Sequence, residues 1–340
     1  MRSLVAVVVA SVAFGAHAGE TVRVAVGRFP SAITISGVDL VALAADGTAL
    51  DLDGDKLVIA PGASGLRVNK KHVDGELVRV TGSDTLTLHG HKYHRELEVR
   101  FRFYDKAPEL LVVHPLDLET YVVGIVSSEL PGGWPLEAYK AQAVAARTFA
   151  LWQKYRRLDL PYHMESSVLD QVYGGVEREH ALAQQAADET RGVVLSSKRH
   201  LAQAYFHASC GGHTESALEG WGTPLSYLPG SPCGFCNAGE HATWSARFTR
   251  ADVDKAVASV LREPLTSIAI AARSKTGRVT SVNLVGKSKH ALVTGADLRK
   301  LLGYNKLWST LISKLELDSD ALVVEGRGSG HGVGMCQWGA

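Results

Sequence analysis

The sequence has almost no charge imbalance. Thirty-six Lys and Arg stand against 35 Asp and Glu, for a formal net charge of +1 over 340 residues. A protein that holds nucleic acid through its phosphates needs a basic stripe, so that class of partner is set aside. An apolar run long enough to span a bilayer, about 20 residues, is also lacking. Internal repeats and low-complexity linkers are absent from the pattern. Cysteine is scarce, with four residues at positions 210, 233, 236 and 336. What remains is ordinary globular composition, 46% hydrophobic and 21% charged, enough for a sizeable core and for two domains.

The N-terminus reads as a removable leader. Arg2 follows the amino end, an apolar run continues from Leu4 to Phe14, and Ala16-His17-Ala18 forms a small-x-small cleavage pattern. This predicts a signal peptide over 1–18. The mature chain is then expected outside the cytoplasm, in the periplasm, the cell wall or beyond, without a transmembrane segment.

Residues 19–115 read as a small β-rich domain. Thr21 to Val26, Ala32 to Ile35, Lys56 to Ile59 and Leu97 to Phe103 alternate. Turn signals separate them at Asp46-Gly47, Asp53-Gly54-Asp55, Pro61-Gly62 and Gly82-Ser83-Asp84. The acidic Asp51 to Asp55 cluster lacks the spacing and closing Glu of a calcium loop and reads as a hairpin turn. From Leu116 the character changes. Leu136 to Arg157 is rich in good helix formers behind Pro135, which suits a first helical turn. A second helix is expected over Glu177 to Glu189, with strands at Val193 to Leu195 and Ala204 to Phe206. Later pieces are a strand at Val279 to Val285, a helix from Gly295 to Leu302 and a Gly-rich stretch from Gly326 to Gly339. The fold class is α+β.

Glu129 lies just ahead of Pro131-Gly132-Gly133 and the expected helix, so it reads as a carboxyl on an irregular segment held by a rigid one. Glu137 is a rival acid, although a helix N-terminus explains a Glu in that first turn. The string Ser127 to Ala150, SSELPGGWPLEAYKAQAVAARTFA, resembles the SpoIID/LytB family. The resemblance continues through Asp170-Gln171-Val172-Tyr173-Gly174-Gly175, Thr190 to Leu195, Phe206 to Thr214 and Gly330 to Ala340, in order over about residues 117–340. It implies a SpoIID-like catalytic core over 116–340. Members usually continue beyond the point where this sequence stops.

The implied activity is lytic transglycosylation of peptidoglycan glycan strands, preferably stripped of stem peptides, with Glu129 as acid/base. A poor leaving group, the glycosidic oxygen, must be protonated as its bond breaks, and a carboxylic acid with a raised pKa can do this at neutral pH. The ionised carboxylate then takes a proton from the sugar's own C6 hydroxyl, which closes on C1 to give a 1,6-anhydro end. One carboxyl therefore suffices where hydrolases use two. The alternative is a non-catalytic glycan-binding enhancer of a cell-wall amidase. Sporulation itself is not implied.

Candidate substrate contacts are Gln142 and Arg147 on the helix, and Gln171 and Tyr173, two apart and so on one side of an extended segment. Ser209 and His213 stand in a tight glycine turn, and His331 and Gln337 in the Gly-rich block. Each has a competing role in holding the fold. No cofactor is needed for the chemistry. Cys210-x2-His213 and Cys233-x2-Cys236 approach zinc-ribbon spacing, and Cys336 is preferred over His213 as fourth ligand. Cys210, Cys233, Cys236 and Cys336 therefore read either as a structural four-thiolate zinc site or as two disulfides.

Overall fold

The computed structural model describes residues 19–52, 54–130, 132–167, 170–239 and 241–340. The expected leader over 1–18 lies outside them, as do Asp53 and Pro131 of the expected turns. The described chain divides into two compact units that part between Gln203 and Ala204, rather than at 115/116.

The first unit opens with β1 (Thr21–Phe29), β2 (Ile33–Gly37), β3 (Val41–Ala44), β4 (Lys56–Pro61), β5 (Leu66–Val68), β6 (Lys71–Val73), β7 (Leu77–Leu88), β8 (His91–Tyr104) and β9 (Ala107–Asp117). Then come helices α1 (Leu118–Glu129) and α2 (Leu136–Arg156), strand β10 (Met164–Glu165), helix α3 (Ala181–Glu189) and the hairpin β11 (Ser196–Ser197) and β12 (His200–Leu201). One sheet runs β10-β1-β9-β8-β7-β2-β4-β5-β6, with β3 also on β7. Alternation does what the sequence pattern asks: in β4, Leu57 and Ile59 are fully buried while Lys56 and Val58 are exposed. Two-residue loops at Asn69-Lys70, His89-Gly90, Asp105-Lys106 and Lys198-Arg199 hold both residues at positive φ, the mirror-image turn that matches strand twist. Gly82-Ser83-Asp84 is not a turn. It sits inside β7, where the register against β8 shifts between Thr81 and Thr85.

The β-rich segment and the helices share this unit because the chain ties them together. β1 pairs antiparallel with β9 and parallel with β10, which follows α2. Helix α1 starts where β9 ends, and Asp117 caps it by accepting the Glu119 and Thr120 N–H groups. Its sequence is rich in β-branched residues, yet it is helical because Tyr121 to Ser127 are buried on all sides. Helix α2 occupies Leu136–Arg156, as expected, with Pro135 one position earlier at the N-cap. The expected 177–189 helix is broken: a 3-10 turn covers Val176–Arg178, and His180 caps α3 through Nδ1. Val193 to Leu195 is not a strand; the hairpin lies one residue later.

The second unit contains β13 (Phe206–His207), α4 (Ala217–Trp221), β14 (Trp244–Thr249), α5 (Arg250–Leu261), β15 (Leu265–Arg273), β16 (Val279–Gly286), β17 (His290–Thr294), α6 (Gly295–Leu302), β18 (Ile312–Leu317), β19 (Ala321–Gly326) and β20 (Met335–Cys336). Two three-stranded sheets, β14-β19-β18 and β15-β16-β17, share a core with α5 and α6 that includes Phe248, Val257, Leu284 and Leu298. Helix α6 has the expected bounds and a full capping box between Thr294 and Asp297. Short β13 pairs in parallel with β20, bringing Phe206 beside Met335 and His207 beside Cys336. No described helix is long and apolar enough to cross a membrane.

Candidate functional site

Glu129 is the last residue of α1, not part of an irregular segment, and it is half-buried. Three consecutive side chains at that helix end seize backbone N–H groups of one neighbouring stretch. Glu129 Oε1 accepts from Val172 N at 3.1 Å, Ser128 Oγ from Gly174 N at 3.1 Å, and Ser127 Oγ from His180 N at 3.3 Å. Ser128 also donates back to the Gly124 carbonyl at 2.7 Å. A carboxyl held by a fixed N–H at the end of a buried helix has a defined position, which proton transfer to a substrate requires.

The 171–175 segment fits closely against α1 and β8 where glycines on either side leave room. A Cβ on Gly124 would stand 2.4 Å from the Tyr173 ring, and one on Gly175, at φ +73°, would stand 2.4 Å from the Lys92 carbonyl oxygen. Gln171 and Tyr173 share a side, as their spacing predicts, but that side is the interior: they are 1% and 5% exposed. Val172 points outward, and its N–H serves Glu129. Gln171 Oε1 accepts from the Tyr121 hydroxyl at 3.0 Å. Burial, aided by the charges of Asp170 and Glu129 and by Tyr173, pushes the Tyr121 phenol well above its usual range, so it stays a donor. Gln171 Nε2 and the Tyr173 hydroxyl find no partner among the described residues. The two residues thus form a floor under the Glu129 clamp instead of lining an open surface.

Arg147 is also corrected. Its side chain is fully buried, and it donates to Glu119 at 2.7 and 2.9 Å, to the Val193 carbonyl at 3.1 Å and to the Ala187 carbonyl at 3.3 Å. A guanidinium so enclosed ties α1, α2 and α3 together and cannot reach a substrate. Gln142 is fully buried on α2 and is likewise interior. The rival acid Glu137 is exposed and pairs with Lys140 at 2.8 Å. Asp170, beside the clamp segment, is locked by Arg157 and by Gln153 at 2.7 Å. It is not a second carboxyl available for chemistry.

In the second unit, His331 is surrounded by rings: Trp221 at 5.1 Å, His207 at 5.5 Å and Tyr205 at 6.3 Å between centroids. Its Nδ1 accepts from Val333 N at 3.1 Å, so Nε2 carries the proton of the neutral ring. Burial pushes the His331 imidazole down to about 4, and the charges of Arg299 and Arg278 act in the same direction. His207 is shifted down for the same reasons, with His331 itself contributing. Trp221 is 41% exposed and also packs against Tyr205, with ring centroids 4.3 Å apart. Ser209 is buried in a two-bond ladder with Ser329, and its Oγ lacks a partner among the described residues. His213 is half-buried, with Nδ1 at 2.6 Å from the Thr214 carbonyl. Gln337 is buried. Cys210, Cys233, Cys236 and Cys336 come together, with every Sγ within 4.8 Å of the others, and His213 is not in the group.

Residues 106–196 match the family model described as stage II sporulation protein, and residues 236–334 match a domain of unknown function (DUF8618). An uncharacterised protein of Brachyspira hyodysenteriae is 33% identical over 292 residues, covering 85% of this chain and 77% of that protein. Stage II sporulation protein D of Bacillus subtilis is 28% identical over 243 residues, covering 67% of this chain and 68% of its own length. The amidase enhancer of Bacillus subtilis is 26% identical over 265 residues, 64% of this chain but only 36% of the enhancer. The chain belongs to the SpoIID/LytB family. Membership in SpoIID/LytB supports a role connected with the cell wall. The matched sporulation-protein segment runs from β9 to the start of β11, so it contains α1, the clamp and the Arg147 brace.

Reading this SpoIID/LytB sequence alone assigned no role to Ser127, Ser128, His207 or Arg278. The two serines were visible as oxygen-bearing neighbours of Glu129, and His207 as part of a motif block. Arg278 carried no local signal, since its partners come from distant turns.

Proposed function

We propose that the chain is a lytic transglycosylase that cuts peptidoglycan glycan strands, with Glu129 as the acid and then the base. The observation that carries this reading is the clamp: a half-buried carboxyl at a helix end, oriented by the Val172 N–H and flanked by two serines that fix the same segment. Glu129 first gives its proton to the glycosidic oxygen as that bond breaks. The sugar passes through an oxocarbenium-like state. The resulting carboxylate takes the C6 hydroxyl proton while that oxygen bonds to C1, so the products are a new chain end and a 1,6-anhydro sugar. The commitment of Asp170 to Arg157 fits a scheme with one working carboxyl. Export to the wall compartment is part of this proposal.

The test is digestion of glycan strands stripped of stem peptides, followed by mass spectrometry of the ends. Wild type is expected to release 1,6-anhydro ends, and Glu129→Gln to lose about 10²- to 10⁴-fold in rate, the usual share of general acid–base catalysis. The similarity to an amidase enhancer favours a second reading, in which the chain binds glycan and stimulates an amidase. Wild type that makes no anhydro ends but accelerates an amidase would establish that reading instead.

A further inference from the structure

We infer that Cys210, Cys233, Cys236 and Cys336 form a tetrahedral four-thiolate site for one structural zinc ion, independent of the glycan chemistry. The sulfurs come from three separated places: Cys210 from the glycine turn after β13, Cys233 and Cys236 from the loop that leads into the 3-10 turn at Cys236–Ala238, and Cys336 from strand β20. All four Sγ atoms lie within 4.8 Å of one another, and Cys210 and Cys236 are 3.5 Å apart. Zinc–sulfur bonds of about 2.3 Å at tetrahedral angles put sulfurs about 3.8 Å apart, close to this arrangement. A disulfide would instead draw two sulfurs to about 2.05 Å and exclude the other two. None of the four cysteines is bonded to another.

The surroundings are built for thiolates. Cys210 N donates to Cys336 Sγ at 3.2 Å, the Gly212 N–H serves Cys210, and the Phe235 N–H serves Cys233. Two of these donors stand two residues after the cysteine they serve, so the turns present N–H groups to sulfur. Gly339 keeps room for the cluster, since a Cβ there would stand 2.7 Å from Cys233 Sγ. Three of the cysteines are buried and Cys233 is half-exposed, leaving a way in for the ion. Four thiolates around a dication carry a net charge of −2. Arg278 lies against them, buried, donating to the Cys210 carbonyl at 2.6 Å. Its Nε and Nη1 have no hydrogen-bond partner among the described residues. A buried cation beside the cluster offsets the charge that the metal site would leave.

Four protein ligands leave no open position, so the ion is structural rather than catalytic. Its effect is on the strand pair β13–β20. Cys336 lies opposite His207 there, five residues after His331, so the metal fixes the segment that presents both histidines.

The test uses the full chain, purified without chelator from both a reducing and an oxidising compartment. Elemental analysis should find about one zinc per chain, the stoichiometry of a single four-ligand site. A thiol reagent should count four reactive cysteines only after a chelator removes the ion. Cobalt supplied in place of zinc should give thiolate charge-transfer bands and tetrahedral d–d bands. Cys233→Ser and Cys336→Ser should each lower metal content at least tenfold, while His213→Ala keeps it. If the serine variants fail to fold, the chelation and thiol count on wild type still decide. Metal-free protein with two disulfides by mass, a site filled by iron, or metal lost with His213→Ala but kept with Cys336→Ser would each overturn the assignment.

Discussion

Arg147→Met removes one partner from a buried ion pair and leaves the other behind. The Arg147 side chain is 0% exposed and that of Glu119 12%. The substitution takes two short charge-assisted bonds from Glu119 and one donor each from the carbonyls of Ala187 and Val193. Glu119 keeps the Gly192 N–H at 3.2 Å and its place in the first turn of α1, which favours its charge. Stranding one charge of a buried pair costs about 3–5 kcal/mol, and the residual support for Glu119 argues for the lower end. For a unit of about 200 residues each kcal/mol moves Tm by about 2–4 °C, so at about 3 kcal/mol the first unit should melt roughly 6–12 °C lower. Urea and thermal unfolding followed by circular dichroism read this directly. The double variant Arg147→Met/Glu119→Leu should recover part of the loss, because an apolar pair has no stranded charge. Well below the new melting point, glycan cleavage by Arg147→Met should stay near wild type. An unchanged melting point with lost cleavage would refute the interior brace and return Arg147 to the substrate.

Three further outcomes are expected. Gly124→Ala gains about 1 kcal/mol of helix propensity but drives a methyl group into the Tyr173 ring, so overpacking of about 1–3 kcal/mol should outweigh it; a lower urea midpoint, with slower glycan cleavage as the 171–175 segment shifts, checks this. His114 donates through Nδ1 to the Glu96 carbonyl, has no partner at Nε2 among the described residues, and is pushed down to about 4 by burial. The unfolded chain, with an ordinary histidine near 6.5, takes up the proton first, so stability is complete above about pH 6.5 and falls by up to about 3 kcal/mol as pH drops toward 4; urea midpoints at pH 7, 5 and 4 should show a loss that His114→Gln reduces, and a flat profile would contradict it. Glu129→Gln should keep the wild-type unfolding free energy within about 1 kcal/mol, since an amide oxygen still accepts the Val172 N–H, so that lost cleavage is a chemical loss.

Elements with a strong local signal were legible in the sequence. The bounds of α2 and α6 follow from helix formers, caps and periodicity, and Val279 to Val285 from alternation. Helix α1 was not, because Val122, Val123, Ile125 and Val126 prefer strands and only burial on every side makes them helical. The 177–189 segment looked continuous, yet His180 uses its imidazole as a cap and so starts α3 afresh. For Gln171 and Tyr173 the spacing revealed a shared side but not which side faces inward, since that depends on Gly124 receiving the ring. The 115/116 boundary failed for a similar reason: β10 returns from beyond α2 to pair with β1, a contact across more than a hundred residues. The Cys233-x2-Cys236 pair was visible locally, whereas the approach of Cys336 depends on the parallel pairing of β13 with β20.

Because Glu129 terminates a helix, its coordinates are inherited from β9 and Asp117 rather than from the loop that follows. A change of length in the chain beyond the helix therefore need not displace that carboxyl. One residue inserted anywhere within α1 would do the opposite, swinging the carboxyl about 100° around the axis and carrying it about 1.5 Å along it, out of register with all three captured N–H groups.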